Sequence, residues 1–131
     1  MHDKGPVTLI GTTNGDSTTE ETHEFRDDGV ITGAMVGTEI GQRYALQNRA
    51  ELIRDGSRTN LWEAKDKEYL AGNGRDYDLT LRYEFSEGDI LRLEADNVNQ
   101  DGNQYHHAMI INVDYETSIT HRIRDAVRGL I

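Results

Sequence analysis

The sequence predicts an all-β domain of sandwich or barrel type that ends in one short amphipathic helix. Three observations predict it. Apolar and polar residues alternate over several short runs, the 13 glycines and single proline fall mostly between those runs, and only the last segment shifts to a helical period. Short strands at intervals of about 8–12 residues are the pattern of such folds. At 131 residues the chain is expected to form one domain, 1–131.

The elements follow in order. Residues 7–10 are a short apolar run. Residues 11–21, GTTNGDSTTEE, read as the most disorder-like loop, with a turn at Thr12 to Asp16. Residues 22–26 read as a weak strand. Residues 30–40 are rich in β-branched side chains and interrupted by Gly33 and Gly37, which suggests a bulge or a close backbone approach. Residues 43–54 fit a strand with Tyr44, Leu46, Ala50 and Leu52 on one face and Asn48 as its polar exception. A helix fits worse, because Arg49 would join the apolar side. Asp55-Gly56 marks a turn into a second strand at 59–64.

Residues 77–85 give the clearest alternation, with Tyr77, Leu79, Leu81, Tyr83 and Phe85 on one face. After the turn at 86–89, Leu91, Leu93 and Ala95 alternate again, so 77–95 reads as a β-hairpin. In 107–115, Met109, Ile111, Val113 and Tyr115 share a face. The period then changes. Ile119, Ile123, Ala126, Val127 and Leu130 form a helical stripe, predicting a helix over 117–130. Thr117 or Ser118 would cap its start, and Arg122, Arg124 and Arg128 suit its C-terminal dipole. Ile119, Ile123, Val127 and Leu130 are expected at subunit contacts.

Composition excludes several function classes. The chain carries 24 acidic and 14 basic residues, a net charge of −10, with Lys only at positions 4, 65 and 67. Such a polyanion repels nucleic acid, whose phosphates need Lys and Arg to displace counterions, and it repels anionic membranes. The absence of cysteine excludes disulfides, thiolate metal sites and thiol nucleophiles. There is no apolar run of the ~18 residues a span needs, and MHDKGPVTL does not read as a secretory signal. Leu, Ile, Val and Phe make up about a fifth of the chain, a thin core that suggests burial against neighbours in a homo-oligomer. The acid-rich, Arg-over-Lys balance resembles proteins of halophiles. Molar salt shortens the screening length to about 3 Å and removes the self-repulsion.

Few residues point to chemistry. His106-His107 are adjacent on a strand, so they face opposite ways and do not share a metal. The loop Asn97-Val98-Asn99-Gln100-Asp101-Gly102-Asn103 approaches the start of a calcium loop, with Asn97, Asn99, Asp101 and Asn103 as candidate ligands. It departs from that pattern at the neutral Asn97, and Ala108 stands where a bidentate Glu belongs. Calcium is the one cofactor this loop suggests; otherwise none is expected. Carboxylate pairs such as Asp27-Asp28 and Glu20-Glu21 are too abundant to mark a site. No nucleophile elbow, phosphate loop or dinucleotide fingerprint occurs, so no enzyme is expected. Trp62, Tyr69, Tyr77 and Tyr105 are the candidates for stacking on sugar, although Trp62 better suits a core or interface.

The stretch from Tyr77 to Tyr115 joins an alternating strand, Glu87-Gly88-Asp89-Ile90-Leu91-Arg92-Leu93, an Asn-rich loop and His107-Ala108-Met109-Ile110-Ile111. It resembles the closing hairpins of jelly-roll modules in virion structural proteins: capsid decoration, turret and tail accessory subunits. With the acidic composition, the similarity is to tailed viruses of halophilic archaea. The resemblance implies a jelly-roll-like antiparallel sandwich and a non-enzymatic homo-oligomer, a trimer or pentamer. Its docking partner would be a major capsid or tail protein, in a virion assembled in the host cytoplasm. It brings no catalytic residue, and the C-terminal helix departs from a minimal jelly roll. A carbohydrate-binding β-sandwich module is the alternative, and a third reading is a small β-barrel hydrolase or isomerase, which would need His106 or His107 beside carboxylates inside a cavity.

Overall fold

The computed structural model describes residues 5–100 and 102–115. They form eight strands: β1 (Val7–Thr13), β2 (Ser17–Glu24), β3 (Gly29–Gly37), β4 (Leu46–Arg54), β5 (Ser57–Asn60), β6 (Asp76–Phe85), β7 (Ile90–Asn97) and β8 (Tyr105–Tyr115). A 3-10 turn covers Glu63–Lys65. The strands make two four-stranded antiparallel sheets, ordered β1-β8-β3-β6 and β2-β7-β4-β5. The all-β, sandwich-like architecture is thus as predicted. The helix predicted over 117–130, with Ile119, Ile123, Val127 and Leu130, lies outside the described residues.

Alternation builds the core. Leu46, Ala50 and Leu52 of β4 and Leu91, Leu93 and Ala95 of β7 turn inward from one sheet; Ile31, Ala34 and Val36 of β3 and Met109 and Ile111 of β8 turn inward from the other. Each large side chain so buried contributes about 1.5–3 kcal/mol. The bulge expected near Gly33 is present: the register of β3 shifts between Ile31 and Gly33 against both β6 and β8. Gly33 is required there, because a Cβ would lie 2.9 Å from the Leu79 carbonyl oxygen.

The predicted hairpin over 77–95 is not formed. β6 and β7 belong to different sheets, and the turn at 86–89 carries the chain from one layer to the other. The cause lies in what the turn binds. Phe25 donates its N–H to the Asp89 carbonyl and accepts from Gly88 N–H, at 2.9 and 2.8 Å. Asp89 accepts from Ser86 N–H and from the Arg54 guanidinium. Phe25, Phe85 and Tyr115 close this end, the two Phe rings stacked at 3.7 Å and Tyr115 edge-on to both.

Residues 11–21 are ordered too, contrary to the loop reading: they complete β1, turn, and enter β2, which pairs with β7 along its whole length. Their polar composition reflects edge position, where only one flank is paired and little is buried.

The β4–β5 pair forms as expected through Asp55-Gly56, both with positive φ, 49° and 82°, as a two-residue hairpin turn requires. Its second strand stops at Asn60, so Trp62 sits beside the 3-10 turn, not in a strand. Tyr44 is a second correction. It precedes β4 with φ 64° and is 66% exposed, because a left-handed residue breaks the alternation that would have turned it inward. Asn48 takes the inward place. It pairs backbone to backbone with Leu70 in both directions and donates its amide to the same carbonyl. Beyond the reach of β5, residues 61–71 therefore cover the flank of β4.

Candidate functional site

Two segments meet at one end of the sandwich and frame a cavity of about 670 Å³. One wall is the segment between β3 and β4, with Gly41, Gln42 and Ala45; the other is the β7–β8 loop, with Val98, Asn99 and Asn103. Asn73 supports the first wall from outside, its Oδ1 accepting from Gly41 N–H at 2.6 Å and Arg43 N–H at 3.5 Å. Tyr44 N–H donates to the Gly72 carbonyl, and Val98 N–H donates to the Ala45 carbonyl, which joins the two walls. Gly41, Arg43 and Tyr44 all carry positive φ, 103°, 50° and 64°. For the two non-glycine residues this conformation costs about 1–3 kcal/mol each and is characteristic of binding and switch regions.

Gln42 is 1% exposed. Its amide donates to the His106 carbonyl at 2.7 Å, but its Oε1 is buried without a partner. Nothing in the sequence singled it out: a lone Gln between two strand candidates carries no pattern.

The loop of candidate calcium ligands lines this cavity. Asn97 itself is fully buried and acts as a latch, its amide donating to the Thr13 and Asn103 carbonyls while its Oδ1 accepts from Asn99 N–H. Asn99 donates its amide to the Tyr105 hydroxyl at 2.9 Å. Asn97 and Asn99 thus have structural work within the loop, Asn103 is exposed, and Asp101 lies outside the described residues. Among the described residues no group of three His, Asp or Glu side chains comes together as a metal site would need.

The other candidates are dispersed. His106 is exposed and His107 buried, as strand alternation requires, with His107 Nδ1 3.2 Å from the Leu9 carbonyl oxygen. Of the four aromatics, Trp62 is wholly buried, Tyr77 donates its hydroxyl to the Ala71 carbonyl, and Tyr69 lies under the Arg49 guanidinium. Tyr105 alone lines the cavity. The exposed Tyr44, assigned inward from sequence, lies between two lining residues of the chain.

The outer surfaces of the two sheets differ. On the β2-β7-β4-β5 sheet, Arg92 reaches Glu20 at 2.7 Å, Glu51 at 2.9 Å and Glu94 at 3.4 Å, and Arg49 reaches Asp96 at 3.6 Å. The hydrogen bond from Arg92 holds the Glu20 carboxyl below its ordinary value, and those carboxylates raise the Arg92 guanidinium further. A planar fork serving three carboxylates needs Arg, not Lys; here the Arg-rich composition has a structural use.

On the β1-β8-β3-β6 sheet the rows Thr8–Ile110–Met35 and Ile10–Ala108–Gly37 run across three strands without a charge. Ile10 is 63% and Met35 48% exposed. Among the described residues β1 is paired on one side only, by β8, and its seven residues include no charge. The other edges are protected by charges on β2 and β6 and by the shortness of β5.

No protein-family model matches the chain, and the search of curated proteins gave no match. Among solved structures, PliG of Aeromonas hydrophila, a periplasmic inhibitor of g-type lysozyme, is similar with a TM-score of 0.40 and 15% identity over 85% of this chain and 88% of that one. A likeness that slight assigns neither family nor activity.

Proposed function

We propose that the protein is a non-enzymatic structural subunit that works by self-assembly, as a decoration, tail or head–tail accessory protein of a virion assembled in its host's cytoplasm. The strand order pairs β1 with β8, β2 with β7, β3 with β6 and β4 with β5, a ribbon folded over on itself in the manner of a jelly roll. Jelly rolls serve viral capsids and lectins alike, so the fold does not choose between them.

The observation that favours assembly is the β1 edge. An uncharged, seven-residue edge strand is a template for another chain. A second copy suits it, because antiparallel pairing about Ile10 sets Thr8 against Thr12 and Leu9 against Gly11, with no charge brought into contact. Ile10 then meets its own counterpart, and both lose their exposure to water. Such a contact is isologous and two-fold, where the sequence led to an expected trimer or pentamer. A docking partner on the virion would use the remaining surface.

Light scattering tests this reading. The whole chain is expected to run as a dimer or a multiple of one. The fraction assembled should rise from dilute buffer to molar potassium chloride, because two bodies of charge −10 repel less when screened. Ile10→Lys places like charges opposite each other and should give a monomer of unchanged thermal stability. A folded wild-type monomer at both salt concentrations would overturn the proposal.

A further inference from the structure

We infer that the cavity between the β3–β4 segment and the β7–β8 loop binds a neutral polyhydroxylated ligand, a saccharide unit. This is independent of the assembly proposed above and uses a different surface.

The lining carries the argument. Residues with side-chain amides line both walls: Gln42 on one, Asn99, Gln100 and Asn103 on the other. A carboxamide offers a donor and an acceptor a short distance apart. That pairing matches vicinal hydroxyls, each of which donates and accepts. Ala45 and Val98 add apolar surface for the C–H face of a ring, and the Tyr105 ring adds more. The chain has 24 acidic residues, yet among the described residues lining this cavity none is acidic, and Arg43 is the one charge among them. A cation therefore finds no carboxylate among them, and a multiply charged anion finds a single guanidinium. A neutral polar molecule fits best. The volume of about 670 Å³ falls within the usual range for small-ligand sites.

Two further observations belong to the same place. The Gln42 Oε1 has no partner although the residue is 1% exposed. Buried acceptors are rarely left unpaired, and Gln42 is one of the residues that line the cavity. The walls are also built in advance. Asn73 holds Gly41 and Arg43, Asn97 holds Asn99, and Asn99 holds Tyr105, so these residues need little further ordering on binding. Tyr44 is kept 66% exposed by its left-handed backbone and flanks two lining residues, which makes it the candidate for stacking on a further ring.

The test is a 1H–15N NMR titration of the whole chain with cellobiose, maltose, chitobiose and a galacturonate oligomer, each to tens of millimolar. Amide shifts confined to residues 41–45 and 98–105 on adding a neutral disaccharide are expected. The double variant Gln100→Ala, Asn103→Ala changes exposed side chains and should keep the wild-type spectrum elsewhere while weakening binding at least tenfold. Tyr44→Ala should weaken it severalfold. Response to the galacturonate oligomer alone would overturn the neutral-ligand assignment. Shifts spread over other surfaces, or no shift with any sugar, would overturn the site.

Discussion

Replacing Trp62 with alanine is expected to lower the unfolding free energy by about 3–5 kcal/mol, the range for deleting a large aromatic side chain from a packed interior. That is a large part of the roughly 5–15 kcal/mol that holds a domain of this size together. Trp62 is wholly buried, and its indole N–H donates to the Asn48 carbonyl at 3.0 Å. The same carbonyl accepts from Leu70 N–H, so truncation does not orphan it. The cost is then mostly packing. β5 covers only residues 51–54 of β4, and beyond it the flank of the strand is closed by residues 61–71. Trp62, Leu61 and Leu70 belong to the same buried cluster, so removing the indole leaves a void in the core under that cover. Trp62→Phe keeps most of the volume and should cost clearly less. The chain has one Trp, so urea unfolding has to be followed by circular dichroism. Equal losses for the two variants would show that the hydrogen bond, not the packing, dominates.

Trp62 also illustrates how far the sequence is legible. Its burial follows from its size and setting. Its place beside a 3-10 turn does not, because Asn60-Leu61-Trp62 reads locally as more strand. The in-or-out pattern of β4, β6, β7 and β8 is readable, since period two is a property of a single strand. Pairing is not such a property. Residues 77–95 satisfy every local sign of a hairpin, yet the turn crosses between sheets because Phe25 and Arg54, remote in sequence, bind it. Residues 11–21 fail the local test in the opposite sense: a polar edge strand is held by its neighbour and buries little. Of the cavity, the Asn-rich loop was visible as a run of oxygen-bearing side chains. The opposite wall was not, because past Gly41 its left-handed backbone falls on Arg43 and Tyr44, residue types that do not announce it.

The acid limb of the stability curve should be set by Asp89. Arg54 holds its carboxyl below the usual carboxylate value, chiefly through hydrogen bonds, with Ser86 N–H adding to the effect; burial opposes them. The folded carboxyl thus takes up its proton less readily than the unfolded one. Its contribution is present in full above the unfolded value and is lost as pH falls through the folded one. Glu20, held low by Arg92, works in the same direction from an exposed position and adds less. The urea midpoint should therefore stay level from pH 7 to about pH 5 and fall below about pH 4, where ordinary carboxyls take up protons. Asp89→Ala should cost about 1.5–3 kcal/mol at pH 7, the range for hydrogen bonds to a charged group. The half-exposed Arg54 loses little of its own, since water replaces its partner. The larger loss is at the turn, where Ser86 N–H goes unmet and the crossing between the sheets loosens beside the stacked Phe25 and Phe85. The variant should show a flatter acid limb, because the group that titrates is gone. An acid limb as steep as that of the wild type would assign the pH dependence to the arginine–glutamate ladder on the other face.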